Sequence, residues 1–162
     1  MSTKGSVNIQ INATETLDLG TNAATNPNIN YGINSNASSY SSTTTPAASK
    51  VWGGTVTLTA GSATLDLTAL TRSPLATVTL SGLEILAVHI KATSTNTSAV
   101  TVVPGASNGY TAMGLGVSLL PGAEAAYHNP SAGVAVDGTH KTLDLASADT
   151  DASVEVVIWA NA

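Results

Sequence analysis

The chain of 162 residues has no cysteine and no phenylalanine, and only 9% of it is charged. Without cysteine there is neither a disulfide nor a thiolate metal site, so the fold stands on packing, or on packing plus assembly. Lys and Arg number 5 against 10 carboxylates, a formal charge of -5. Those cations, Lys4, Lys50, Arg72, Lys91 and Lys141, are scattered along the chain. Phosphate backbones are held by clustered Lys and Arg, so nucleic acid is not an expected partner. No apolar run approaches the roughly 20 residues of a membrane-spanning helix, and the opening MSTKGSVNIQIN lacks the apolar stretch of about 7 residues or more that centres a signal peptide. The expectation is synthesis in a host cytoplasm with no membrane partner.

Thr, Ser, Ala, Asn and Val fill the space that charge and aromatics leave. Thr and Val are stiff at the first side-chain torsion and pack well on pleated surfaces, which favours strands. The tetrapeptide TLDL occurs at 16–19, 64–67 and 142–145 with no fixed period between copies, against a solenoid or propeller. In an extended chain its two leucines face one way and its Thr and Asp the other. Each copy therefore reads as a half-buried strand whose aspartate stays in water.

The same alternation recurs along the chain. Val7, Ile9 and Ile11 alternate with polar neighbours and predict a first strand. TVTLTA, Gly61-Ser62 and the second TLDL predict a hairpin. In LEILAVHIKAT one stripe is Leu86, Val88 and Ile90 and the other is Ile85, Ala87, His89 and Lys91; both are partly apolar, which predicts a central strand with a covered outer face. AVTVV, two short strands about Pro121-Gly122, GVAV, the third TLDL and SVEVVIWA complete roughly ten strands with no amphipathic helix. The fold class predicted for residues 1–162 is all-β, a single antiparallel β-sandwich of jelly-roll type.

Residues 20–50 break the pattern. They are rich in Asn, Ser and Thr, are punctuated by Pro27, Gly32 and Pro46, and read as a long polar arm or loop. The i, i+2, i+4 spacing of Ile29, Tyr31 and Ile33 places them on one face of an extended arm, with Tyr40 the next large apolar group. These four, with Ile85 and His89 on the outer stripe of the central strand, are the expected partner-binding residues.

Signatures of catalysis are missing. His89, His128 and His140 sit in no nucleophile, phosphate-loop or zinc pattern, so neither a catalytic residue nor a cofactor is expected. Asp149 and Asp151 are the best metal candidates, but a calcium loop's Gly and distal Glu are absent and a solvated loop is expected instead. The Asn-x-Ser/Thr triplets at Asn12, Asn36 and Asn96 would matter only in a secreted eukaryotic chain.

From Val51 onward the order of motifs resembles a family of small structural proteins of tailed bacteriophages and prophages. The resemblance rests on VW before TLTAGSATLDLTAL, on GLEILAVHIKATSTNTSAVTV with ASNGYTA, on LLPGAEAAYHNP with GVAV, and on a terminal SVEVVIWANA. It implies a jelly-roll protein on the virion surface, a head decoration or minor capsid component. Its partner would be the major capsid protein, and it would be a homo-oligomer, a trimer by preference. The other reading is a receptor- or glycan-binding module of a phage tail or fibre, with Tyr31, Tyr40, Tyr110, Trp52 and Trp159 as possible stacking rings; fold alone does not separate the two.

Overall fold

A computed structural model describes residues 4–7, 10–16, 28–34, 38–41, 43–45, 47–72, 75–112, 114–129 and 135–161. Among them there is no helix, as the abundance of β-branched residues requires. By their contacts the residues divide into two compact units, Ser6–Ser39, and Met1–Gly5 with Tyr40–Ala162.

In the first part of the chain β1 (Lys4–Val7) pairs with β4 (Ser38–Ser41), and β2 (Gln10–Thr16) pairs antiparallel with β3 (Asn28–Asn34) in a register that sets Ala13 opposite Tyr31. The stretch expected as a polar arm therefore contains two strands and the start of a third. Leu17, Asp18 and Leu19 of the first TLDL, and the expected strand residue Ile9, lie outside the described residues.

The larger unit is an antiparallel β-sandwich. One sheet has the order β12 (Glu124–His128), β9 (Ile85–Ala92), β14 (Ser153–Asn161), β5 (Ala48–Thr57). The other has the order β11 (Val117–Leu119), β10 (Val100–Pro104), β13 (Thr142–Ser147), β6 (Ser62–Asp66). A small ladder of β7 (Leu70–Arg72) and β8 (Leu75–Val78) completes the unit. Alternation puts Val88, Ile90, Val154, Val156 and Ile158 of the first sheet into one core with Leu65, Val100, Val102, Leu143 and Leu145 of the second. Tyr110 is fully buried between them, and the backbone N–H of Ile85 hydrogen-bonds its phenol oxygen. Burial is the main influence on that phenol and raises its pKa.

Two expectations need correction. TVTLTA and the second TLDL do not form a hairpin within one sheet. Ala60 and Gly61 both take positive φ, 52° and 76°, and close a two-residue turn with a single bridge between Thr59 and Ser62. Leu58 then bonds Ala152 while Ser147 bonds Gly61, so β5 and β6 leave the turn into different sheets. Of GVAV only Ala135 and Val136 lie within the described residues, where Ala135 makes an isolated bridge to Glu84 and Val136 packs in the core. Ile85, expected on the outer stripe of β9, is 1% exposed. Its partner on β14 is Ala160 while Ala87 pairs with Trp159, so β9 carries one extra residue at Leu86. The bulge inverts the side-chain parity beyond it and turns Ile85 inward.

Candidate interaction face

Beyond the bulge the outward stripe of β9 is Ala87, His89 and Lys91, flanked by β12 on one side and β14 and β5 on the other. The register stacks these side chains in three rows across the sheet. Glu124, Lys91, Glu155 and Thr55 form the first; Ala126, His89, Val157 and Gly53 the second; His128, Ala87, Trp159 and Val51 the third. Alternation that buries Val154, Val156 and Ile158 must send Glu155, Val157 and Trp159 outward.

The face is mixed in character. Val157 is 39% exposed, Ala126 is exposed, and Trp159 and Val51 are half-buried. His89 Nε2 lies 3.3 Å from Glu124 Oε2, with both side chains well exposed, so the pair contributes little to stability by itself. Burial lowers the pKa of His128 and keeps its ring neutral near pH 7.

Across the sandwich the outer surface is different. Ser118, Thr101, Val103, Ala146, Asp144 and Thr64 line it, and Thr64 Oγ1 donates to Asp144 Oδ1 at 2.7 Å while Thr101 Oγ1 donates to the Ala146 carbonyl at 3.1 Å. Thr64, Asp144 and Thr101 are bonded there, and Val103 is 42% exposed. The β12-β9-β14-β5 face instead offers a tryptophan, valines, an alanine and two histidines, the composition of a contact surface.

Of the six expected partner-binding residues, His89 is on this face and Ile85 is in the core. The side chains of Ile29, Tyr31, Ile33 and Tyr40 lie outside those described. Among the possible stacking rings, Trp52 is 2% exposed and donates its Nε1–H to the Thr71 carbonyl at 2.8 Å. With Tyr110 also buried, Trp159 is, among those rings whose side chains are described, the one that reaches this surface.

The remaining polar candidates serve the fold. Asp149 Oδ2 accepts the Thr97 N–H at 2.7 Å, and Asp151 donates its N–H to Oδ1 of the same carboxylate at 3.5 Å, so this carboxylate fastens two loops. No group of three or more His, Cys, Asp or Glu among the described residues could hold a metal ion. Asp137 Oδ1 accepts the N–H of Thr139 at 2.6 Å, the Thr139 hydroxyl at 2.8 Å and the N–H of His140 at 2.8 Å, which builds the Asp-Gly-Thr-His turn. The Thr139 and His140 bonds hold the Asp137 carboxyl far below the usual carboxylate range. Asn96, in one of the Asn-x-Ser/Thr triplets, is 8% exposed and exchanges two 2.9 Å hydrogen bonds with the Ser153 backbone. Its amide is a clamp between a loop and β14, inaccessible to a modifying enzyme.

Val157, Ala126 and Glu124 were not singled out as contact residues from the sequence, whereas Trp159 was named there as a possible stacking ring. Each strand's alternation marks its outward stripe, but only the strand order brings the stripes together. Compared with models of protein families, with curated proteins and with solved structures, the chain matches none.

Proposed function

We propose that the protein is a non-enzymatic structural component of a phage virion, a head decoration or cement protein that binds a lattice of major capsid protein. The observation that carries this reading is the contrast between the two outer faces of the sandwich. One bonds Thr64 to Asp144 and leaves Val103 as its exposed apolar group, and the other groups Trp159, Val157 and His89 in adjoining rows for a partner. The strand order β5-β14-β9-β12 over β6-β13-β10-β11 has the alternation between sheets of two interlocked Greek keys, which supports a jelly-roll topology. A protein that binds the assembled shell and not free subunits stabilises the shell by mass action, by about 2.7 kcal/mol per site at a hundredfold excess over Kd.

The test is the particle itself. Purified particles from the producing host should contain many copies, and shells stripped of the protein should disrupt at lower temperature and recover when it is added back. Absence from particles, or a few copies at the tail tip, would defeat the decoration reading. The half-exposed Trp159, in one row with His128 and separated from it by Ala87, keeps a glycan-binding module as the second reading, since an indole on an open sheet can stack on a sugar ring. On that reading Trp159→Ala abolishes attachment to cells and leaves particle stability unchanged.

A further inference from the structure

We propose that the β12-β9-β14-β5 face is self-complementary and that its occupant is a second copy of this chain, packed face to face about a two-fold axis. The inference rests on the reading of that face as a contact surface and names its partner.

The argument comes from the register. The first row runs Glu124, Lys91, Glu155, Thr55, so its charges alternate negative, positive, negative, neutral. Place a two-fold axis in the interface, along the strands, midway between β9 and β14. This is the centre of the four-stranded sheet, so the overlap of the two copies is greatest there. The axis exchanges β9 with β14 and β12 with β5 while keeping each row in place. Lys91 then stands opposite Glu155 of the second copy, and Glu155 opposite its Lys91, giving two symmetry-related ion pairs. In the second row His89 meets Val157, and Gly53 meets Ala126. In the third Trp159 stands over the strand position of Ala87, which is only 5% exposed in its own copy, so the central pairs of the first two rows carry the fit.

Moving the axis onto β9 sets Lys91 against Lys91, and moving it onto β14 sets Glu155 against Glu155, so like charges oppose those arrangements. Sheets packed in this way lie about 10 Å apart and cross at about 30°, which preserves the central pairs and opens the corners. A two-fold contact of this kind builds a dimer in place of the trimer expected from the sequence.

Two measurements on the full chain test this. Sedimentation of the purified protein should show a concentration-dependent dimer, weakened about tenfold or more by Lys91→Glu or Glu155→Lys alone and restored by the two together. Because Lys91 also sits between Glu124 and Glu155 of its own sheet, the melting temperature of each variant is recorded alongside. The second measurement does not depend on those variants folding equally well. The chain has no cysteine, and a Cβ at Gly53 makes only an ordinary 3.6 Å contact with Val157. The Gly53→Cys, Ala126→Cys double variant therefore carries one pair of thiols, three strands or about 14 Å apart within a copy but opposed between copies. A bismaleimide with a spacer of about 8 Å should link the double variant into a covalent dimer and leave each single variant monomeric. A wild-type chain that stays monomeric at the highest concentration reached, or a double variant that fails to link between copies, overturns the proposal and leaves the face to a shell protein or a glycan. Neither measurement involves the particle, so failure here is distinct from failure of the decoration reading.

Discussion

Thr64 Oγ1 donates a 2.7 Å hydrogen bond to Asp144 Oδ1 across the β6–β13 ladder, joining the second and third copies of the tetrapeptide TLDL. The copies are antiparallel neighbours, with Leu65 opposite Leu143 on the core side and Thr142 opposite Asp66 at the end of the ladder. Their aspartates stay on the partly exposed outer side, as the alternation predicts, and are bonded there as well. Asp144 Oδ2 also accepts the Ala106 N–H at 2.8 Å, and Asp66 accepts Thr68 and a 3.1 Å ion pair from Lys141. One carboxylate thus joins β6, β13 and the turn that follows β10.

Replacing Asp144 by Ala removes both bonds from a partly exposed site and should lower stability by about 1–2 kcal/mol. In a double-mutant cycle with Thr64→Val the coupling should be about 0.5–1 kcal/mol. Urea denaturation of the four proteins measures both. Strict additivity would show that the Thr64 contact adds nothing.

Stability should also fall in acid in two stages. Burial acts to raise the Asp66 carboxyl, yet the Thr68 and Lys141 bonds outweigh it and leave the pKa lowered. Asp137 is lowered chiefly by the Thr139 bonds, and Asp149 chiefly by the Thr97 N–H. A carboxyl whose folded pKa lies below its unfolded value of about 3.9 adds stability above that pH and loses it as pH falls through the folded value. His128 is lowered by burial, so its smaller contribution is complete above about pH 6.5 and declines below it. The melting temperature should drift down slightly from pH 6.5, then drop steeply below about pH 4. Asp137→Asn should flatten the steep stage alone, and His128→Gln the shallow one. A melting temperature equal at pH 7 and pH 3 would contradict both assignments.

The alternation of Val154, Val156 and Ile158 against Glu155, Val157 and Trp159 was legible because strand parity is local, and it places each side chain where the sandwich needs it. Central placement of β9 was legible for the same reason, from apolar groups on both of its stripes. Parity fails where a ladder gains a residue. Nothing in Leu83 to Ala87 announces the bulge opposite Trp159 and Ala160, so Ile85 is misplaced by local reading. Long-range pairing is equally silent: the turn at Ala60-Gly61 looks like a hairpin, and only the stronger pairings of β5 with β14 and β6 with β13 divert the two strands. The candidate face assembles from four strands distant in sequence, and without their order the sequence offered only His89 and Trp159 singly.

The inward turn of Ile85 has a direct test. Ile85→Ala should cost about 2–5 kcal/mol, as for a buried aliphatic, whereas an outward residue would cost under about 0.5 kcal/mol. Tyr110→Phe removes the acceptor of the Ile85 N–H and should cost about 1–3 kcal/mol. Chemical denaturation reads both, and a near-neutral Ile85→Ala would mean that the bulge does not form.

The segment between β10 and β13 should tolerate substitution very unevenly. A Cβ at Gly109 would run into the Gly105 carbonyl oxygen and lie 2.9 Å from the Gly105 nitrogen, and backbone cannot swing aside as a long side chain can. The collision lies in a loop already fixed at several points. The Asn108 carbonyl accepts the N–H of Lys141 at 2.7 Å and of Thr142 at 3.0 Å, and the Thr142 carbonyl accepts those of Gly105 and Tyr110, each at 2.9 Å. Relief of the clash therefore costs hydrogen bonds that anchor β13 and the buried Tyr110. Gly109→Ala should lose about 1–3 kcal/mol, the usual penalty for overpacking. Gly138 is the control: nothing lies within 4 Å of its Cβ position, and Gly138→Ala should stay within about 0.5 kcal/mol of the parent. Equal stability of the two variants in thermal melts would show that the Gly105–Gly109 approach is not held in solution.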